Sequence, residues 1–322
     1  MGLKDELAID APQTARALAD AIRDQVLGTL RRRGVVVGLS GGVDSSVVAA
    51  LCRRALGPDR VLALLMPERA GEDDALRLGR LVAEQLGIPY QVEVIGPALE
   101  AIGCYRRQAQ AIQRVVPEYD ERWACKLVLG HGARGLAVYD LTLRSPDGTL
   151  RSVRLPADVL LEIVAATNFK QRTRKMLEYH HADRLRYAVA GTPNRLEYDQ
   201  GFFVKNGDGA ADLKPIAHLY KTQVYALAEH LGVPEEIRTR PPTTETYSLP
   251  QTQEEFFFGV PLATLDLGLY AHDHGVSPQV LAEEAGLTPA ATHAVYREIE
   301  ARRRTSAYLH AAPLLVEGGR GG

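Results

Sequence analysis

Apolar residues follow two alternating patterns along the first 95 positions of the chain. Short apolar, β-branched stretches at 35–38, 61–66 and 90–94 predict buried strands. Between them, apolar positions recur every three or four residues over 14–30, 45–56 and 72–86, which predicts amphipathic helices. A fourth strand is predicted at 187–190, after a helix over 158–179. Strands and helices that alternate over short links predict an α/β fold with a doubly wound parallel sheet.

The alternation is interrupted between about 98 and 157. Residues 137–144 and 150–155 alternate apolar with polar positions, and Pro146-Asp147-Gly148 between them is a turn sequence. We predict an inserted β-hairpin, preceded by a helix at about 104–115. The insert could be a partner surface, a lid or a unit with its own small core.

The last part of the chain predicts a helical extension at about 266–310. Within it, 277–304 predicts two short helices about a Gly-Leu-Thr turn. The second helix begins Thr288-Pro289-Ala290-Ala291, which offers no Arg, Asn or Gln to read base edges. We therefore interpret the pair as a packing hairpin, and residues 1–322 as a single domain with an insert and an extension.

The composition of the chain mainly excludes certain classes of protein. The 322 residues are 46% hydrophobic and 24% charged, which is typical of a globular protein. A net charge of −2 provides no overall positive field, so a nucleic-acid partner is not expected. Cys52, Cys104 and Cys125 fit neither a zinc site nor a disulfide framework, which favours a reducing compartment. With no apolar signal core in residues 1–12 and no apolar run near ~20 residues, we expect a cytoplasmic protein without a membrane span.

Candidate chemistry lies directly after the first predicted strand. Residues 38–46 read Gly-Leu-Ser-Gly-Gly-Val-Asp-Ser-Ser, and a strand, a glycine turn and a helix start together form an anion site. The Gly-Lys-Ser/Thr of the usual P-loop and the Gly-x-Gly-x-x-Gly of dinucleotide folds are both absent. The stretch Ser-Gly-Gly-Val-Asp-Ser resembles the pyrophosphate loop of the ATP pyrophosphatases, which cleave ATP between its α- and β-phosphates.

Further motifs indicate which family of ATP pyrophosphatases the chain resembles. Residues 168–174 read Asn-x-Lys-x-Arg-x-Arg, 191–197 read Gly-Thr-x-x-x-x-Glu, and 201–208 contain Gly-x-Phe-x-Lys-x-Gly-Asp. A Leu-x-Lys helix start ends at Lys221. In this order the motifs resemble those of the NAD synthetases of the ammonia-dependent type. The resemblance implies an adenine nucleotide alpha hydrolase-like fold and an ATP-dependent ligase, which adenylates the nicotinate carboxylate of deamido-NAD and lets ammonia displace AMP.

The resemblance also implies site residues and partners. Asp44 and Lys221 would be catalytic, and Asp44 and Glu197 would hold Mg²⁺. The acceptor would contact Lys205, Asp208 and Thr243. The positions that would bind ATP are Gly38, Leu39, Ser40, Gly41, Gly42, Asp44, Ser45, Ser46, Arg172, Thr192 and Lys221. A homodimer is expected, with ammonia arriving free or from a separate glutaminase.

Some positions depart from this family pattern. The insert is long, and 243–247 and 253–255 differ from the Pro-Thr/Ser-Ala and Asp-Glu sequences found there. An amide ligase for a different carboxylate therefore stays open. A tRNA-thiolating enzyme would need a reactive cysteine pair and a basic surface, and a transcription regulator would need the C-terminal helices to bind DNA.

Overall fold

A computed structural model of the chain describes residues 2–68, 73–131, 137–243 and 246–315. The strands are β1 (Val35–Gly38), β2 (Val61–Leu65), β3 (Tyr90–Val92), β4 (Ala124–His131), β5 (Ala137–Arg144), β6 (Leu150–Arg154) and β7 (Ala188–Ala190). The α-helices are α1 (Leu3–Glu6), α2 (Ala11–Arg23), α3 (Val43–Leu56), α4 (Asp73–Leu86), α5 (Gly96–Ala101), α6 (Cys104–Gln113), α7 (Ala157–Leu185), α8 (Arg195–Gln200), α9 (Lys221–His230), α10 (Glu235–Thr239), α11 (Leu262–Asp273), α12 (Pro278–Ala285) and α13 (Pro289–His310). Residues Asp24–Thr29 and Glu254–Phe258 are π-helical, and Pro58–Arg60 form a 3-10 turn.

The central sheet is parallel and has the strand order β3-β2-β1-β7. Val35 and Val37 pack into the larger core with α2, α3, α4 and α9, whereas Val36 packs on the opposite face against α7. Both faces of β1 are therefore covered by helices, which explains why its sequence is continuously apolar. The predicted α/β fold with a doubly wound parallel sheet is confirmed.

The insert forms a second, antiparallel sheet in the order β4-β5-β6. The predicted hairpin is β5–β6, but the prediction missed β4, which pairs along its whole length with β5. Leu127, Leu141 and Leu143 form one core with Ile112 of α6 and Ile163 of α7. The sheet therefore packs onto the helices that precede and follow it.

The C-terminal helices pack against each other and against the N-terminus. Leu265 of α11, Leu281 of α12 and Ile299 of α13 share a core with Leu3 and Leu7. The prediction of two short helices is wrong for the second, because α13 continues for 22 residues. No helix in the described part of the chain is long and apolar enough to cross a membrane.

Candidate active site

The glycine-rich loop follows β1 and leads into α3. Gly41 has a φ of 75°, and a Cβ placed there would lie 2.8 Å from Cβ of Leu78, so only glycine fits without displacing α4. The hydroxyl oxygens of Ser40 and Ser45 lie 3.2 Å apart, and Gly42 N–H donates to Ser40 Oγ at 3.3 Å. The loop is thus braced by its own serines at the N-terminus of α3, where backbone N–H groups favour an anion.

This loop forms one wall of a cavity of about 640 Å³ beyond the carboxyl ends of the parallel strands. Ligands of doubly wound sheets bind in this position. Most of the predicted site residues line it: Gly38, Leu39, Ser40, Gly41, Gly42, Asp44, Ser45, Thr192, Glu197, Asp208, Lys221 and Thr243. Ser46 is fully buried behind the loop, where its hydroxyl donates to the Gly42 carbonyl at 2.8 Å.

Asp44 and Lys221 form an ion pair between Oδ2 and Nζ, and the Lys221 side chain is only 3% exposed. Burial alone would lower the pKa of Lys221, but the charges of Asp44 and Glu197 outweigh it and raise that pKa. Lys221 therefore remains a cation. Its backbone N–H and that of Thr222 donate to the buried Asp266 carboxylate at 3.1 and 2.7 Å, which fixes the start of α9.

Glu197 lies beside this pair and is tied to it by Asn194. The Asn194 side chain donates to Asp44 Oδ1 at 3.1 Å, and its backbone N–H donates to Glu197 Oε2 at 3.2 Å. Gln253 Nε2 donates to the other oxygen of Glu197 at 2.9 Å. Burial, and then the charge of Asp44, raises the pKa of Glu197 to about 7. Two carboxyl groups thus compete for one cation, Lys221.

Sequence reasoning did not assign roles to Asn194, Gln253 or Asp266. The sequence did contain a signal for Asn194, because Asn194-Arg195-Leu196-Glu197 is a capping-box pattern. In the structure Asn194 caps α8, and its Oδ1 accepts the Glu197 N–H at 3.1 Å. Gln253 and Asp266 are distant in sequence from the residues they hold, and no local pattern marks them.

The loop and the motifs around this cavity match those of known proteins. The model of the NAD synthase family matches residues 14–120 and 149–311. The chain belongs to the NAD synthase family. It is 61% identical to the NH(3)-dependent NAD(+) synthetase of Mesorhizobium japonicum, over 96% of this chain and 98% of that one.

Other similar proteins are also NAD synthetases. The NH(3)-dependent NAD(+) synthetase of Rhizobium meliloti is 54% identical, over 97% of this chain and 94% of that one. Among solved structures, the NH3-dependent NAD synthetase of Campylobacter jejuni has a TM-score of 0.63 at 24% identity, and the match covers 96% of this chain and 100% of that one. The likeness of the two structures shows that the fold is shared.

Two residues of the NAD synthase motifs do not reach the cavity. Arg172 Nε donates to the Lys205 carbonyl at 3.3 Å, and Lys205 Nζ donates to the carbonyls of Tyr308 and Ala311 at 2.8 and 3.1 Å. Neither side chain lines the cavity. Their predicted binding roles are thus not supported by position, because Lys205 instead binds carbonyls at the C-terminal end of α13.

Lys170 and Arg174 of the same helix face the cavity instead. Both pair with Glu68, at 3.1 and 3.5 Å, and Lys170 Nζ also donates to the Thr246 carbonyl at 2.8 Å. Glu68 itself is 3% exposed, so this ion cluster is largely removed from water. The cationic side chains of α7 that line the cavity are therefore those at 170 and 174.

The insert contributes an apolar part of the cavity wall. Leu127 and Tyr139 line it together with Phe256, whose ring centroid lies 6.3 Å from that of Tyr139. Residues 121–148, which include Leu127 and Tyr139, fall outside the match to the NAD synthase model. This chain therefore encloses its cavity partly with residues that the family model does not contain.

Proposed function

We propose that the protein is an ATP-dependent amide ligase that converts deamido-NAD and ammonia into NAD, with release of AMP and pyrophosphate. The observation that carries the proposal is the meeting of the loop, Asp44, Lys221 and Glu197 in one cavity of an NAD synthase family member. The 61% identity with an NH(3)-dependent NAD(+) synthetase supports the same acceptor and ATP as the second substrate.

In the first step, an oxygen of the nicotinate carboxylate attacks the α-phosphorus of ATP. The bond from this phosphorus to the bridging oxygen breaks, and pyrophosphate leaves with the electron pair. Ser40 and Ser45 line the cavity, and their hydroxyls and the loop amides would hold phosphate oxygens. Lys221 remains charged and lines the same cavity, so it can stabilise the negative charge that develops on the leaving group.

The paired carboxyl groups fit Mg²⁺. No group of three or more His, Cys, Asp or Glu side chains suited to a metal occurs among the described residues, but Mg²⁺ prefers one or two carboxylates and takes its other ligands from phosphate and water. Asp44 and Glu197 would hold it. Burial, and then the charge of Asp44, raises the pKa of Glu197, and a bound divalent cation would favour its charged form. When bound, Mg²⁺ would supply charge neutralisation of the phosphate oxygens.

In the second step, ammonia attacks the carbonyl carbon of the adenylate. The bond from this carbon to the AMP oxygen breaks, AMP leaves, and the amide nitrogen loses a proton. The substrate carboxylate and ammonia are themselves the nucleophiles, so the protein needs to orient the reactants and stabilise charge. Ammonia would be taken free or from a separate glutaminase.

The direct test is to incubate the protein with ATP, Mg²⁺, ammonium and deamido-NAD and to follow pyrophosphate, AMP and NAD. We expect the three products in equal amounts and dependence on all four additions. Pyrophosphate no higher than without deamido-NAD would contradict the proposal. Pyrophosphate with a different carboxylate alone would support the alternative of another amide ligase, which the altered 243–255 segment suggests.

We also propose that the protein is a cytoplasmic homodimer, as the resemblance to NAD synthetases implies. Leu161 and Met176 of α7 are 67% and 62% exposed, which is apolar surface that a second copy could cover. Light scattering across a dilution series, with NAD formation followed alongside, tests the dimer. A monomer with undiminished turnover would contradict it and would favour an acceptor pocket that the insert closes within one chain.

A further inference from the structure

Residues 248–251 pack along the edge strand of the insert. Strand β4 lies at the edge of its described sheet, with β5 on one side, and on its other side Cys125 N–H donates to Ser248 Oγ at 2.9 Å. Leu249 N–H donates to the Cys125 carbonyl at 3.1 Å, and Gln251 Nε2 donates to the Leu127 carbonyl. Alternate residues of an edge strand direct their polar backbone groups outward, and residues 248–251 lie along β4 and bond to those of Cys125 and Leu127.

An ion pair between Lys126 and Glu255 binds the continuation of this segment to β4. Lys126 Nζ lies 2.6 Å from Glu255 Oε1 and donates to the Pro250 carbonyl at 3.3 Å. The two side chains are 19% and 34% exposed, so the pair is partly shielded from water. A pair in this setting is screened less by salt than one on the open surface.

Gln253 lies between these two attachments and reaches the active site. Its backbone N–H donates to the Pro242 carbonyl at 3.0 Å, and its side-chain amide donates to Glu197 at 2.9 Å. Residues 251 and 255, two positions to either side of Gln253, both bind β4. Polar contacts to β4 on both sides of Gln253, and the bond from Gln253 to Glu197, thus join the insert to Glu197 through the backbone of 251–255.

We propose that β4 of the insert positions Glu197 through Gln253, and that Lys126 and Gln253 are positioning residues. This inference rests on the proposed function, because it assigns the insert a part in the adenylation step. A carboxylate held from both oxygens has less freedom to turn away from its ligand geometry, and groups that orient such a carboxylate affect turnover without touching the substrate.

The test compares four variants in steady-state kinetics. Gln253→Ala should lower kcat about 10- to 100-fold, the range for loss of a group that orients a metal-site carboxylate. Lys126→Met should lower kcat about tenfold with the KM for ATP nearly unchanged, and Lys126→Arg should restore most of it. The double variant Lys126→Met/Gln253→Ala should be no slower than Gln253→Ala, because both changes act through Glu197.

The matched control is Arg154→Met. It breaks a partly exposed ion pair with Asp140, which joins β6 to β5 within the same inserted sheet. Its kcat should equal that of the wild type. An inactive wild type would contradict the proposed function, whereas an active wild type with equal kcat in Lys126→Met and Arg154→Met would contradict the positioning role alone.

Hydrogen exchange provides a readout that is independent of activity. Amides of 246–255 should exchange faster in Lys126→Met than in Arg154→Met, since only the first variant releases that segment. If Lys126→Met does not fold, Glu255→Gln breaks the same pair from the other side. Faster exchange with unchanged kcat, or additive effects in the double variant, would overturn the proposal.

Discussion

The side-chain amide of Asn194 donates a hydrogen bond to Asp44 at 3.1 Å, although the two residues are 150 positions apart in the sequence. Asp44 follows the loop after β1, and Asn194 follows β7, the strand that pairs with β1. The same asparagine begins α8 and accepts the Glu197 N–H. A residue that would be a helix cap by sequence alone therefore also donates hydrogen bonds to both carboxyl groups.

Replacing Asn194 with alanine separates these roles. We expect kcat to fall about 10- to 100-fold, as for other groups that orient metal-site ligands. The lost cap should also lower the free energy of unfolding by about 1 kcal/mol. Ser277→Ala is the control, because Ser277 caps α12 away from the cavity. Equal kcat in the two variants, measured beside their thermal unfolding, would show that Asn194 is only a cap.

Asp44→Asn should abolish Mg²⁺-dependent pyrophosphate release while the fold is kept. The change is nearly isosteric, but it removes a charge from the proposed metal site and leaves Lys221 without its partner. The loss should be at least about 100-fold, as for one preorganised electrostatic group. Asp20→Asn, which breaks an exposed pair with Arg23, is the control. Unaltered release at low Mg²⁺ would refute the ligand role.

Lys221→Met should cost on the order of 2–4 kcal/mol in transition-state stabilisation, if the ammonium group binds the leaving pyrophosphate. The loss should appear in kcat, with thermal unfolding measured to establish that the variant is folded. A variant with normal kcat and only a raised KM for ATP would place Lys221 in ground-state binding instead.

Asp208 predicts a pH dependence of stability. Burial raises the pKa of its carboxyl group, which accepts the Val204 N–H at 2.7 Å. The folded protein therefore holds this proton more tightly than the unfolded chain, so Asp208 destabilises the fold as pH rises above the ordinary carboxyl value. An asparagine side chain at this position would keep an acceptor oxygen without the charge, so Asp208→Asn should gain stability relative to the wild type across that range.

Asp147 should affect the pH dependence of stability in the opposite direction, and Asp147→Asn tests this. A hydrogen bond from Ser145, and then the Thr149 N–H, lowers the pKa of the exposed Asp147, so its contribution to stability is lost as pH falls. Chemical unfolding of both variants between pH 4 and 7 checks the signs. Two slopes of the same sign would contradict the assignment for Asp208.

Lys205→Met tests whether the lysine binds α13, the acceptor or both. Loss of its bonds to the carbonyls of Tyr308 and Ala311 should lower the free energy of unfolding by about 0.5–1 kcal/mol. An unchanged KM for deamido-NAD would confine Lys205 to a structural role. Arg304→Met, on the same helix and 71% exposed, should change neither quantity.

Local pattern accounts for most of the fold and for the loop. Strands such as 61–65 are apolar because both faces are covered, and the glycine turn is marked by residue type alone. Strand β4 was missed because its pairing is defined by β5 and by 248–251, neither of which its own sequence reveals.

Helical spacing identified two pairs of polar side chains on α7 but could not orient them. Lys170 and Arg174 are one pair and Asn168 and Arg172 another, and the spacing within each pair is the same. In the structure Lys170 and Arg174 both contact Glu68 and line the cavity, whereas Asn168 lines it and Arg172 does not. Roles such as those of Gln253 and Asp266 depend on long-range contacts, which periodicity does not encode.

The strand order also explains where the chain can tolerate extra length. β1 and β7 are neighbours, with Val37 opposite Ala190, so the loops that follow them start at the same level of the sheet. All of β4, β5 and β6 lies in the connection between β3 and β7. Doubling the length of such a connection costs only about 0.6 kcal/mol of closure entropy. Asp44 and Asn194 follow two strands that pair directly, so this crossover can acquire new structure while the reaction centre keeps its dimensions.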